Sequence, residues 1–128
     1  MGLLAAFLAA AAQGCAAAAI GAGVGAAGGI AYTERGAQGD VKGDVRAVNQ
    51  RAQSALREMG IKITGTQMKE AGKEQELQGK SKDDKDVSVK MALAGQDSTR
   101  VEVVARKGAL QWDKDYAKEV LNRIVQQG

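Results

Sequence analysis

The chain contains no histidine and no proline, and its single cysteine is Cys15. Without histidine it lacks the side chain most often used as a general base near neutral pH, and the commonest metal ligand. One cysteine cannot close an internal disulfide, so pairing says nothing about a redox compartment. Aromatics are scarce as well, with one Trp, two Tyr and one Phe. Past Phe7 they are Tyr32, Trp112 and Tyr116, too few to build a platform on which bases could stack. Charge is missing from residues 1–33: all 18 Lys and Arg and all 15 Asp and Glu lie from Glu34 onward.

What is present divides the chain in two. An uncharged Ala/Gly-rich leader precedes a charged remainder, residues 34–128, which is long enough to bury a modest core. The net charge of +3 and a pI near 9.1 make the chain mildly basic. Its acidic and basic residues are interleaved, as in Lys82-Asp83-Asp84-Lys85-Asp86. No stripe of Lys and Arg emerges, and nucleic acid is not an expected partner.

The leader carries the strongest motif. Leu3 to Ala12 has the length and apolarity of the hydrophobic region of a secretory signal. Ala12, Gln13 and Gly14 then form a cleavage box directly before Cys15. Small residues suit a peptidase that draws an extended chain into a narrow site, and the cysteine sulfur is the atom that carries diacylglycerol. The box has Ala12 where leucine is usual, and Met1-Gly2 supplies no Lys or Arg. Residues 1–14 are read as a lipoprotein signal peptide, and 15–33 as an acylated cysteine followed by an Ala/Gly tether.

The same stretch has a second reading. Its uncharged length exceeds the ~20 residues that a membrane-crossing helix needs. Gly21, Gly25 and Gly29 recur every fourth residue, a glycine zipper that lets helix backbones approach closely in a bilayer. In that case the leader is uncleaved, and the protein is a membrane-embedded oligomer. Two other motifs are rejected. Gly23-Val24-Gly25-Ala26-Ala27-Gly28 spells the dinucleotide fingerprint, but follows an alanine run and no βαβ unit. Gly2 lacks the Ser or Thr that N-myristoylation expects at the place of Ala6.

The remainder predicts an α+β domain. Val45, Val48, Ala52, Ala55, Leu56 and Met59 form one apolar stripe over Asp44–Met59, with Asp44 to cap it and Gly60 to end it. Ile61 and Ile63, then Val87–Leu93, then Val101–Ala105 alternate with polar positions, as half-buried strands do. Glu74–Ser81 is a poor strand by propensity, with Leu77 its one large apolar residue. A short strand near Ala31–Ala37 is expected ahead of the first helix. Trp112, Tyr116, Val120 and Ile124 repeat every fourth residue and predict a last helix, whose two aromatics are expected in the core. The architecture expected is a small antiparallel sheet of about four strands, with two amphipathic helices on one face.

A search for chemistry finds little. Ser54, Ser81, Ser88 and Ser98 have no histidine to activate them. Asp83, Asp84 and Asp86 lack the twelve-residue ligand spacing of a calcium loop and are flanked by lysines. No catalytic residue, metal site or cofactor is expected, and the protein is not expected to be an enzyme.

Taken in order, Cys15 with its box, a tract ending in Ala31-Tyr32, and a helix closing in Ala55-Leu56-Arg57-Glu58-Met59-Gly60 form one series. Thr99-Arg100-Val101-Glu102-Val103 and Val120-Leu121-Asn122-Arg123-Ile124 complete it. The series resembles a family of small bacterial envelope lipoproteins known only as a domain of unknown function. The resemblance implies a lipid-anchored envelope protein with a small α+β domain and no catalytic residues. Ala16 after the cysteine implies sorting to the outer membrane, facing the periplasm. The expected partners are membrane lipid, through acylated Cys15, and an envelope protein or a second copy of the chain.

Overall fold

The computed structural model describes residues 26–108 and 111–127. Within them, β1 (Ala26–Tyr32) and β2 (Gly36–Lys42) form a hairpin, followed by α1 (Val45–Glu58). The chain then runs through β3 (Lys62–Lys69), a 3-10 turn at Glu70–Gly72, β4 (Glu74–Lys80), β5 (Asp86–Gly95) and β6 (Ser98–Arg106) to α2 (Lys114–Gln126). All six strands join one antiparallel sheet in the order β1-β2-β6-β5-β4-β3. The last strand of the β3–β6 meander lies against β2, so the two hairpin strands and the meander share one core.

The α+β class with two helices and an antiparallel sheet is therefore as expected, but the strand number is six rather than about four. The added pairing comes from Ala26–Tyr32 and Gly36–Lys42, which are rich in Gly and Ala and carry no run of β-branched residues. Small residues serve a purpose here. A Cβ on Gly39 would stand 2.8 Å from the Gly29 carbonyl, and a Cβ on Gly36 would overlap the Val103 carbonyl. β4 is likewise a full strand despite its composition, because β3 and β5 both pair with it. Tertiary pairing overrides weak local propensity.

Alternation places Val41, Leu77, Val87, Val89, Met91, Val101, Val103 and Ala105 on one buried face of the sheet. Both helices pack there: Val48, Ala52, Ala55 and Leu56 of α1 and Ala117, Val120, Leu121 and Ile124 of α2 are fully buried. The opposite face is polar, and several of its cross-strand neighbours are opposite in sign, although Lys62 faces Lys80. Asp40 lies opposite Arg100, and Glu102 opposite Lys90, which in turn faces Glu76. The Asp40–Arg100 pair is bidentate, at 2.8 and 3.2 Å.

The helix ends follow their sequence signals. Asp44 Oδ1 accepts from the Ala47 amide at 2.9 Å, and Asp113 Oδ1 from the Tyr116 amide at 3.0 Å. After α1, Gly60 adopts φ +74, the Ile61 amide donates to the Leu56 carbonyl and the Gly60 amide to that of Arg57. This Schellman arrangement needs a left-handed residue, which glycine supplies at no steric cost. It also drops Ile61 onto Leu56 in the core.

Candidate functional site at the aromatic end of the sheet

The three aromatics of the domain gather at one end of the sheet, where β1 and β6 finish and β5 begins. Trp112 was expected on the last helix and in the core. It lies on neither. α2 starts two residues later, capped by Asp113, and Trp112 is 38 % exposed. Its backbone instead bridges Arg106 at the end of β6, while the Lys107 amide donates to the Gln111 carbonyl and the Asp113 amide to that of Ala105. These bonds fold the segment back on the strand it follows, and the fourfold spacing to Tyr116 is incidental.

Around the indole stand two guanidinium groups, Arg35 at 5.2 Å and Arg106 at 5.8 Å from the ring centroid. Attraction between a cation and the negative face of the ring holds such pairs, worth ~0.5–1 kcal/mol when exposed. Next to it, the Tyr32 hydroxyl donates to Asp115 Oδ1 at 2.9 Å, with the Lys118 ammonium 5.0 Å from the phenol ring. The Asp115 carboxylate holds the Tyr32 hydroxyl pKa above its ordinary value, mainly through that hydrogen bond. This contact ties the end of β1 to the first turn of α2.

Tyr116 faces the other way, half-buried against the core. Lys85, from the β4–β5 turn, lies over its ring at 4.3 Å and reaches Asp113 Oδ2 at 3.1 Å. Both partners of that ion pair are largely covered, with side chains 15 % and 19 % exposed. The Tyr116 amide and then Lys85 hold the Asp113 carboxyl below the usual carboxylate range, and the hydrogen bond to Asp113 raises Lys85. Burial raises the Tyr116 hydroxyl. Asp113 thus serves two elements at once, as cap of α2 and as anchor of the turn.

Trp112 separates two open grooves. One, of about 610 Å³, runs between Tyr32, Lys107, Asp113 and Asp115. The other, of about 360 Å³, opens onto the polar face of the sheet among Thr64, Gln78, Ser88, Val104 and Arg106. Beside it Asp86 accepts from Lys80 at 3.1 Å, and this bond lowers the carboxyl and raises the ammonium. The arrangement offers an amphipathic ring, fixed cations and hydrogen-bonding side chains on a rigid rim. Trp, Tyr and Arg are the residues that most often anchor protein recognition. Among the described residues, no group of three or more His, Cys, Asp or Glu is gathered so as to hold a metal ion.

Of the residues singled out in the leader, Ala12, Gln13, Gly14, Cys15, Gly21 and Gly25 lie outside the described residues. Gly29 lies within β1, at φ +81, buried beside Gly39. Among the described residues no helix is long and apolar enough to cross a membrane. Sequence reasoning weighed Trp112 and Tyr116 but not Tyr32, Arg35 or Arg106 as their companions. The register that unites them is a property of the sheet.

A sequence profile of the family described as "Protein of unknown function (DUF3568)" matches residues 1–127. The chain belongs to this family. The DUF3568 match takes in the leader as well as the domain, so Cys15 and its box fall inside the family's span. No curated protein matches the chain significantly.

Proposed function

We propose that this chain is a lipid-anchored protein of the bacterial cell envelope whose domain recognises a partner and catalyses no reaction. The observation that carries the reading is the box Ala12-Gln13-Gly14-Cys15, set behind an apolar run and ahead of a folded domain. In this reading residues 1–14 are removed and Cys15 becomes the acylated N-terminus. Several acyl chains, at ~0.8 kcal/mol per buried CH₂, hold a protein on a bilayer where one chain would not. Ala16 directs it to the outer membrane, with the domain in the periplasm. Gly29 weighs against the zipper, because its place in β1 withdraws it from any helix-packing row, and the same strand ends the tether ahead of Ala26 rather than at residue 33.

The domain's part in this is binding. Trp112, Arg35 and Arg106 form an amphipathic patch at the sheet end opposite the start of β1. The anchor is tested by mass spectrometry of the chain purified from membranes. The expected product begins at a Cys15 carrying diacylglycerol and an amide-linked acyl chain. An intact Met1 peptide with a free thiol overturns the reading.

A further inference from the structure

The register of the sheet fixes which end of the domain the leader joins. Ala26, the first described residue, pairs with Val41, Val41 with Thr99, and Thr99 with Leu93. One transverse row thus connects the entry of the chain to Leu93. The next row inward runs from Met68 through Gln75 and Met91 to Val101. Met91 and Val101 are buried, whereas Met68 is 65 % and Leu93 49 % exposed. These two belong to the core face of the sheet but lie beyond the cover of α1. They are two of the four large apolar side chains exposed among the described residues, and the other two, Tyr32 and Trp112, belong to the opposite end.

Met68 and Leu93 border a groove of about 880 Å³ against the first turns of α1, where Arg46 and Lys73 stand beside them. Its one carboxylate, Asp44, is engaged in capping α1. Lys42 and Lys69, both exposed, end β2 and β3 at this end of the sheet, with three strands between them. Glu70 and Asp97, also exposed, sit on the turns at this end, but the groove itself is lined by the cations Arg46 and Lys73. Apolar side chains with long cationic ones beside them are the composition of a surface that inserts at the headgroup level, with the cations reaching anionic phosphates.

We infer that this end of the domain rests on the membrane surface, with Met68 and Leu93 in the headgroup boundary and Arg46 and Lys73 on lipid phosphates. The inference rests on the anchor reading. From Cys15 to Ala26 the chain can span at most about 40 Å when extended, which keeps the domain within reach of the bilayer without fixing its orientation. The apolar pair supplies the orientation. It turns the Trp112 end outward and makes the lipid surface, rather than a soluble peptide, the occupant of the groove.

The test uses the full acylated chain, purified from membranes and reconstituted in vesicles of phosphatidylethanolamine and phosphatidylglycerol with brominated acyl chains. Native Trp112 reports on the outward end. A Met68→Trp variant in a Trp112→Phe background reports on the groove, and both substituted positions are exposed enough to leave folding intact, which circular dichroism checks. Blue-shifted, quenched emission from position 68 is expected, with Trp112 of the unaltered chain unquenched. Equal quenching at both positions, or none at position 68 in chains that float with the vesicles, overturns the orientation and leaves the anchor standing. Chains that do not float at all overturn the anchor itself. A blue shift at position 68 that needs no lipid and grows with protein concentration assigns the groove to a second copy, and also overturns the inference.

Discussion

The two ends of the sheet are built from different materials. Where β1 begins, the row Ala26–Val41–Thr99–Leu93 ends in an uncovered apolar side chain, and the nearby groove holds Met68 beside Arg46 and Lys73. Where β1 finishes, every aromatic of the domain is engaged: Tyr32 with Asp115, Trp112 with Arg35 and Arg106, Tyr116 with Lys85. The first end is loosely closed and apolar, and the second is cross-braced and polar. Uncovered core-facing side chains suit a surface that meets something large and soft. Braced aromatics suit one that presents a fixed shape, since a preorganised surface loses less freedom on binding.

The contrast in rigidity is most directly broken at two glycines of β2. A Cβ on Gly36 overlaps the Val103 carbonyl of central strand β6. Gly36→Ala must therefore shift paired backbone, and is expected to cost about 3 kcal/mol in urea unfolding followed by circular dichroism. A Cβ on Gly39 meets the Gly29 carbonyl at 2.8 Å, in an edge strand with a partner on one side only. Because β1 can yield, Gly39→Ala is expected to cost about 1 kcal/mol. Equal costs would mean that the two ends are equally stiff.

The next largest effect tests the brace of the aromatic end. Asp113→Ala removes both the cap of α2 and the partner of Lys85, and is expected to cost about 2 kcal/mol. Asp113→Asn keeps an acceptor for the Tyr116 amide and is expected to lose about half as much. The pH dependence has a definite sign. The Asp113 carboxyl is lowered in the folded state, so its contribution is complete above the ordinary carboxylate pKa and fades as pH falls through the lowered value. Lys85 is raised, so its share is complete below the ordinary lysine value and fades only as pH rises through the higher one. The difference in stability between wild type and Asp113→Ala should therefore be flat around neutrality and shrink in acid. A difference that grows in acid would contradict the pairing.

How far the sequence revealed this molecule depends on the kind of signal. α1 was legible to its caps, because a stripe of Val, Ala and Leu between Asp44 and Gly60 is a local pattern with local punctuation. The strands β5 and β6 were legible from alternation. β1, β2 and β4 were faint, because their reason for being strands lies in close backbone approach at Gly36 and Gly39 and in pairing on both sides of β4. Such reasons belong to neighbours far along the chain. Trp112 was misread for a related cause. Its spacing to Tyr116 fits a helix, but Asp113, one residue on, is the better cap and starts the helix after it. An N-cap signal inside an apolar period marks a boundary, and the aromatic ahead of it is then free to point elsewhere.

That misreading has a direct check. With Trp112 at the surface, Trp112→Ala is expected to cost about 1 kcal/mol, the loss of a half-covered ring and its two guanidinium contacts. A core tryptophan would cost roughly 3–5 kcal/mol on the same change. Equilibrium unfolding separates the two outcomes, and the larger value would return Trp112 to the core and remove the main feature of the proposed recognition patch.

The smallest effect is expected at the other end, and with the opposite sign. Asn49, on α1 beside the Met68 groove, has an enclosed side-chain oxygen with no hydrogen-bond partner among the described residues. An acceptor in that state costs free energy in the isolated domain, and asparagine is also a poorer helix former than alanine. Asn49→Ala should therefore stabilise the domain by about 0.5–1 kcal/mol, read as a rise in the urea midpoint with unchanged slope. The braced end offers no such gain, since its polar groups at Tyr32, Asp113 and Lys85 all have partners. A loss of stability at Asn49 would show that its oxygen is satisfied in solution, and that the Met68 end is better closed than its geometry indicates. A gain would mark it as an end built to be completed by something outside the chain.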